Sequence, residues 1–112
     1  TECDLYFERN GKRKSPLGNC GYGAADIASL GLRVAYWKLD GEARNTMVLD
    51  EPLRNLDKER QVLASMMISE LSQMEGGLQF IIVTHNHALT ESADAHFEVT
   101  KTNDISKVRR IT

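Results

Sequence analysis

Met47-Val48-Leu49-Asp50-Glu51-Pro52-Leu53-Arg54-Asn55-Leu56-Asp57 is the stretch on which the reading of this chain turns. An apolar run ends in two adjacent carboxylates, then a proline and a polar Asn-Leu-Asp turn. Residues 46–49 have the length and apolar content of a short buried strand. A strand that stops at Asp-Glu delivers two acids to one edge of a sheet. The first acid of such a pair can hold a magnesium ion, usually through water, and the second can take a proton from a water attacking a phosphate. The bland alternative is an acidic turn at a strand end, since lone Asp-Glu pairs are common. The apolar strand before the pair, with Pro52 and Asn55-Leu56-Asp57 after it, favours the chemical reading.

A second apolar run, Phe80-Ile81-Ile82-Val83-Thr84-His85-Asn86, ends in a histidine. Residues 78–84 read as another buried strand. Between the two runs, Asp57 is a candidate N-cap and Glu59 suits a first helical turn. The helix they open runs to about residue 74, with Leu63, Met66, Met67, Ile68, Leu71 and Met74 on a broad apolar face, and Gly76-Gly77 stops it. Upstream, residues 18–23 form a glycine-rich loop. A helix follows over residues 24–39, with Ile27, Leu30, Val34 and Trp37 as its apolar face, widened by Ala28, Leu32 and Ala35. Asp40-Gly41-Glu42 ends it. Asn10-Gly11, between strand-like residues 3–7 and 12–17, is a strong hairpin signal because both residues tolerate positive φ. A short helix or turn is expected over residues 91–95, a strand over 96–101, and a further one over 107–111. Buried strands alternating with helices imply an α/β fold with a parallel-sheet core.

With 112 residues the chain suits one small domain, or one lobe of a larger one, with a modest core. Fourteen basic and 16 acidic residues leave a net charge of −2, so bulk charge announces neither a nucleic acid nor a membrane. The small basic cluster at Arg9, Lys12, Arg13 and Lys14 reads first as a solvated hairpin tip; a phosphate-backbone patch is the minority reading. The two cysteines, Cys3 and Cys20, are too few for a disulfide scaffold and lack metal-ligand spacing. Without a signal-peptide pattern they indicate a reducing, cytoplasmic setting. Cys20 reads as a small buried apolar residue. The four methionines read as core filler at helical spacing rather than as a pliable binding surface. His85, His87 and His96 have no Cys or carboxylate at ligand spacing and make no convincing metal site. No apolar run approaches the roughly 20 residues of a membrane span.

Taken together, these motifs resemble an ATP-binding-cassette (ABC) ATPase. Asp50-Glu51 resembles the end of a Walker B strand, Asn55-Leu56-Asp57 the D-loop, and His85 the switch histidine of the H-loop. Cys20-Gly21-Tyr22-Gly23-Ala24 sits where such proteins carry their signature loop. Ala28-Ser29-Leu30 and Leu32-Arg33 in the helix behind it are most similar to the double-strand-break-repair branch of the SMC-like ATPases. Those proteins split the nucleotide-binding domain into two lobes around a long coiled coil. Residues 1–112 resemble the C-terminal lobe: a parallel-sheet core with flanking helices and an N-terminal β-hairpin.

The resemblance implies site roles residue by residue. Asp50 would support magnesium, Glu51 would act as general base or polarise the water, and His85 would sense the γ-phosphate. Gly21, Gly23 and Ala24 would touch ATP held by the opposite subunit, and Asn55 and Asp57 would lie at the dimer interface. Asp57 serves equally as a plain helix cap. The implied cofactors are ATP and Mg2+. The implied partners are an N-terminal P-loop lobe, a second head in a homodimer, DNA and a nuclease subunit, with no membrane.

Two departures from the family pattern matter. Gly21-Tyr22-Gly23-Ala24 replaces the family's Ser-x-Gly-Gln/Glu, so the serine hydroxyl and the polar fourth side chain are missing. There is also no Gly-x-x-x-x-Gly-Lys-Ser/Thr; the single Gly-Lys pair, Gly11-Lys12, is followed by Arg13. The phosphate cradle is therefore expected from another chain or from an N-terminal lobe absent here. The expected activity is ATP hydrolysis on head dimerisation, driving DNA repair or recombination. Its rivals are a non-hydrolysing, ATP-gated dimerisation module and the ATP-binding subunit of a transporter.

Overall fold

The computed structural model describes residue 2, residues 4–15 and residues 21–112. The expectations for Cys3, Leu17, Gly18 and Cys20 lie outside the described residues. Strands β1 (Phe7–Arg9) and β2 (Lys12–Lys14) form the expected antiparallel hairpin, three residues a side and shorter than the sequence implied. Asn10 and Gly11 make its turn, both with positive φ. The strands are mostly exposed, as a solvated hairpin tip would be.

Helix α1 spans Tyr22–Leu39 and begins two residues earlier than the sequence pattern suggested, so Gly23 belongs to its first turn rather than to the loop. Strand β3 (Thr46–Asp50) pairs in parallel with β4 (Gln79–Val83), in register from Thr46↔Gln79 to Asp50↔Val83. Helix α2 (Lys58–Gln73) is the crossover between them. Its ends are written locally: Asp57 accepts from Arg60 N at 2.9 Å, and Gly76, at φ 67, turns the chain beyond the last turn. A short helix α3 (His87–Glu91) lies earlier than the helix or turn expected over residues 91–95. The reason is a cap the sequence reading overlooked: Asn86 Oδ1 accepts from Ala88 N at 2.9 Å. Strands β5 (Phe97–Thr102) and β6 (Ile105–Arg110) form an antiparallel hairpin on a two-residue turn, Asn103-Asp104, both residues at positive φ. The second strand therefore starts two residues before residue 107.

The core joins Leu30 of α1, Leu49 of β3, Leu53 in the turn after β3, Ala64 and Ile68 of α2, and Leu89 of α3, with Met47, Phe80 and Ile82 packed against it. Because side chains alternate along a strand, Met47, Leu49, Phe80 and Ile82 share one face of the β3–β4 pair, and the helices cover that face. The other face is open. Val48 is 63% exposed, Ile81 49% and Val83 61%. The strands are thus half-buried, not buried on both sides as their continuous apolar runs suggested.

The apolar face assigned to α2 also needs correction. The buried residues are Ala64, Ser65 and Ile68, whereas Leu63, Met66 and Met74 are exposed. Small residues won the inward position because they let the helix approach the sheet closely. Ser65 is buried without loss because its hydroxyl donates to Val62 O at 2.8 Å. Of the methionines, Met47 and Met67 pack against the core while Met66 and Met74 face outward. On α1, Leu30 is buried and Val34 packs against the core, but Ile27, Leu32 and Ala35 are exposed. Among the described residues no helix is long and apolar enough to cross a membrane.

Leu49→Ala removes a buried side chain from the sheet–helix contact and is expected to cost about 2–5 kcal/mol in urea unfolding. Leu63→Ala, on the outward face of α2, is expected to change stability by less than about 0.5 kcal/mol. Equal losses would contradict the assignment of faces.

Candidate functional site

The site is built where β3 and β4 end side by side. Asp50 pairs with Val83, and one step further on Glu51 N donates to Val83 O at 2.9 Å, so the parallel ladder runs past the last strand residue. Glu51 then leaves the strand in the left-handed region, at φ 43. For a residue with a Cβ this conformation costs on the order of 1–3 kcal/mol and persists only where the surroundings enforce it. The enforcement is visible in the side chain. Glu51 Oε2 accepts from the Thr84 hydroxyl at 3.0 Å and Oε1 accepts from His85 N at 2.9 Å. One carboxylate therefore ties the end of β3 to the residues just beyond β4.

This brings together two residues that the sequence kept 34 positions apart. The His85 imidazole stands over the same carboxylate, with Nε2 3.9 Å from Glu51 Oε1, and its side chain is fully exposed. Thr84 is also an acceptor: Asn86 N donates to its hydroxyl oxygen at 3.0 Å. Asn86 in turn caps α3. A hydrogen-bonded chain thus runs from Glu51 through Thr84 to the start of α3. Thr84 was missed as a site residue; its role depends on register, because the parallel pairing sets Glu51 beside Thr84.

Asp50 lies on the opposite side of the strand from Leu49 and is exposed. With Glu51, Val48, Asp26, Ser29 and Arg33 it lines a shallow cleft between β3 and α1. Among the described residues no group of three or more His, Cys, Asp or Glu side chains could hold a metal ion. The donors present are hard carboxylate oxygens. They fit magnesium as a single protein ligand, with the remaining positions left to water and phosphate oxygens, which is how that ion is commonly held.

The start of α1 faces the segment that follows Glu51. Gly21 is the N-cap residue, at φ 76, and among the described residues no side chain caps the helix there. Gly21, Tyr22 and Ala24 are exposed. Gly23 is not. A Cβ built on it would lie 2.9 Å from Leu56 Cδ2 and 3.0 Å from Asn55 O, so the absence of a side chain lets the chain around Asn55 pass close to the helix. One turn on, the Asp26 carboxylate accepts from Asn55 N at 3.1 Å and from Asn55 Nδ2 at 3.3 Å. Asp26 was not among the residues singled out from sequence.

Asp57 is occupied as the N-cap of α2, where it accepts from the Arg60 backbone N–H and from the Arg60 guanidinium. The backbone hydrogen bond from Arg60 is the main reason its carboxyl is held below the ordinary value, with the guanidinium adding to it.

No protein-family model matches the chain. It is 32% identical over 105 residues to the DNA double-strand break repair Rad50 ATPase of Sulfolobus acidocaldarius, a match that covers 94% of this chain and 12% of that protein. It also superimposes on the SMC head domain from Thermotoga maritima with a TM-score of 0.71 and 26% identity, over 90% of this chain and 36% of that one. A structure described as "Structural biochemistry of ATP-driven dimerization and DNA stimulated activation of SMC ATPases" gives a TM-score of 0.72 at 22% identity, over 90% of this chain and 58% of that one.

Sequence and fold together support an SMC-like ATPase, in the C-terminal lobe region of its head. The chain spans about an eighth of the curated relative's length (12%). The α/β architecture expected from the sequence is the architecture of that lobe. In this chain, the carboxylate of Glu51, the imidazole of His85 and the exposed carboxylate of Asp50 lie at one edge of the parallel pair, and the chain around Asn55 packs on the start of α1.

Asp57→Ala removes the N-cap of α2 and is expected to lower the thermal midpoint, whereas Asp57→Ser, which can still accept from the first turn, is expected to restore most of it. Because its folded pKa is depressed, the Asp57 contribution is complete above the ordinary carboxylate value of 3.8 and is lost as pH falls through the lower folded value. Wild type and Asp57→Ala should therefore differ in thermal midpoint at pH 7 and converge toward pH 2; a constant difference would exclude this origin.

Proposed function

We propose that this lobe supplies the water-activating half of an ATP-hydrolysing site in an SMC-like head, completed by a P-loop-bearing N-terminal lobe and by a second head in a homodimer. The carrying observation is the Glu51 carboxylate, held in a left-handed backbone turn by Thr84 and His85 at the edge of the β3–β4 pair. Each oxygen accepts one hydrogen bond from the protein and has a lone pair left to orient, or take a proton from, a water beside a terminal phosphate. Asp50, exposed and without a protein partner among the described residues, would be the magnesium ligand. Magnesium would neutralise charge on the phosphate oxygens. The exposed imidazole of His85, 3.9 Å from Glu51, suits a contact to the same phosphate.

The open face of β3 and β4, with Val48, Ile81 and Val83 exposed, supports a neighbouring lobe in the assembled head. Gly21, Gly23 and Ala24 at the start of α1 would approach the nucleotide of the opposite head through backbone N–H groups, a use for which a helix N-terminus is suited. Asn55 and Asp57 would border that interface, Asp57 while also capping α2. On this reading turnover serves DNA repair or recombination in the cytoplasm, with DNA and a nuclease subunit as partners.

Glu51→Gln in the full-length ATPase is expected to lower turnover by about 10²–10⁴-fold while ATP binding and head dimerisation persist. Undiminished hydrolysis would remove Glu51 from the chemistry. A second reading is favoured by the signature loop: with Gly21 and Ala24 where the family has serine and a polar side chain, the head would dimerise on ATP without turning it over. Nucleotide-dependent dimerisation by a wild type that releases no phosphate would select that reading.

A further inference from the structure

Three of the five positions from Leu53 to Asp57 are held by means that are easy to name. Leu53 is 1% exposed, Leu56 packs against the core, and Asp57 caps α2. Asn55 has none of these anchors: it is exposed, and burial does not choose its orientation. What chooses it is α1. The Asp26 carboxylate accepts both the backbone N–H and the side-chain amide N–H of Asn55. Gly23, three residues back on the same face of the helix, leaves room for Asn55 O and Leu56 to pass.

We infer that Asp26 is a positioning residue that locks the Asn55 segment to α1, so that the two elements meet an opposing head as one rigid unit. An ionised carboxylate can only accept hydrogen bonds. It therefore forces the Asn55 amide to turn its NH2 inward and leaves Oδ1 outward as an acceptor for N–H donors on the opposing surface. A hydrogen bond to a charged acceptor is stronger than one between neutral groups, which suits a clamp on an exposed residue. This inference rests on the proposed function for its consequence in turnover, but the clamp itself does not.

The test uses the full-length ATPase and the nearly isosteric Asp26→Asn, beside Asp26→Ala, Asn55→Ala and the double variant Asp26→Asn/Asn55→Ala. Asp26→Asn can offer an N–H to Asn55 and so loses the enforced amide orientation without losing volume. It is expected to lower kcat about tenfold with KM for ATP within about twofold. The double variant is expected to be no worse than Asn55→Ala, because both substitutions remove one interaction. Hydrogen exchange supplies the second readout: Asp26→Ala should speed exchange across residues 53–57 about tenfold or more and leave residues 60–73 of α2 unchanged. Unchanged exchange, additive losses, or equal falls in kcat and thermal midpoint with a raised KM would each overturn the inference. A wild type that shows no turnover refutes the proposed hydrolysis instead, and the exchange measurement then decides the clamp by itself.

Discussion

The parallel pairing of β3 with β4 is the constraint on which the rest depends. Its register, Asp50 against Val83, sets Glu51 beside Thr84, and the hydrogen bond from Glu51 N to Val83 O carries the pairing one residue beyond the strand. A slip of one residue would turn Leu49 and Met47 away from the helices and expose them, while Val48 would be driven inward. The same slip would separate Glu51 from the hydroxyl and the N–H that hold it. Core packing and site geometry are thus two consequences of one register.

Glu51 shows how the strain is arranged. Its left-handed backbone is unfavourable for a side-chain-bearing residue, and the compensation comes from contacts that the same conformation makes possible, two hydrogen bonds to a charged carboxylate. The arrangement holds the carboxylate in one place at a sheet edge. Downstream, Thr84 and Asn86 extend the network to α3, so that the histidine between them stands on a defined backbone with its ring exposed beside the Glu51 carboxylate.

The helices contribute through closeness. Ala64 and Ser65 bring α2 against the covered face of the sheet, and Gly23 brings α1 against the chain around Asn55. In both places the decisive residue is small. A search for large apolar side chains at helical spacing passes over such residues, which is why Leu63, Met66 and Met74 were assigned inward and are found outside. The open face of β3 and β4 has the same lesson: a continuous apolar run reads as buried on both sides, but burial depends on what packs against each side.

What the sequence determined by itself is local. Asn10-Gly11 encodes a turn, Asp57 a helix start, Gly76 a helix stop, and the apolar runs ending at Asp50-Glu51 and at His85 two strands with ionisable residues at their ends. Each of these signals acts between residues a few positions apart, through φ preference, capping or side-chain alternation, and is legible without knowing the fold. The tertiary structure alone decided the contacts of Glu51 with Thr84 and of Asp26 with Asn55, across 33 and 29 positions. No local preference encodes them. They exist because a strand register and a close helix approach place particular polar atoms within hydrogen-bonding distance, and those are properties of the packed core as a whole.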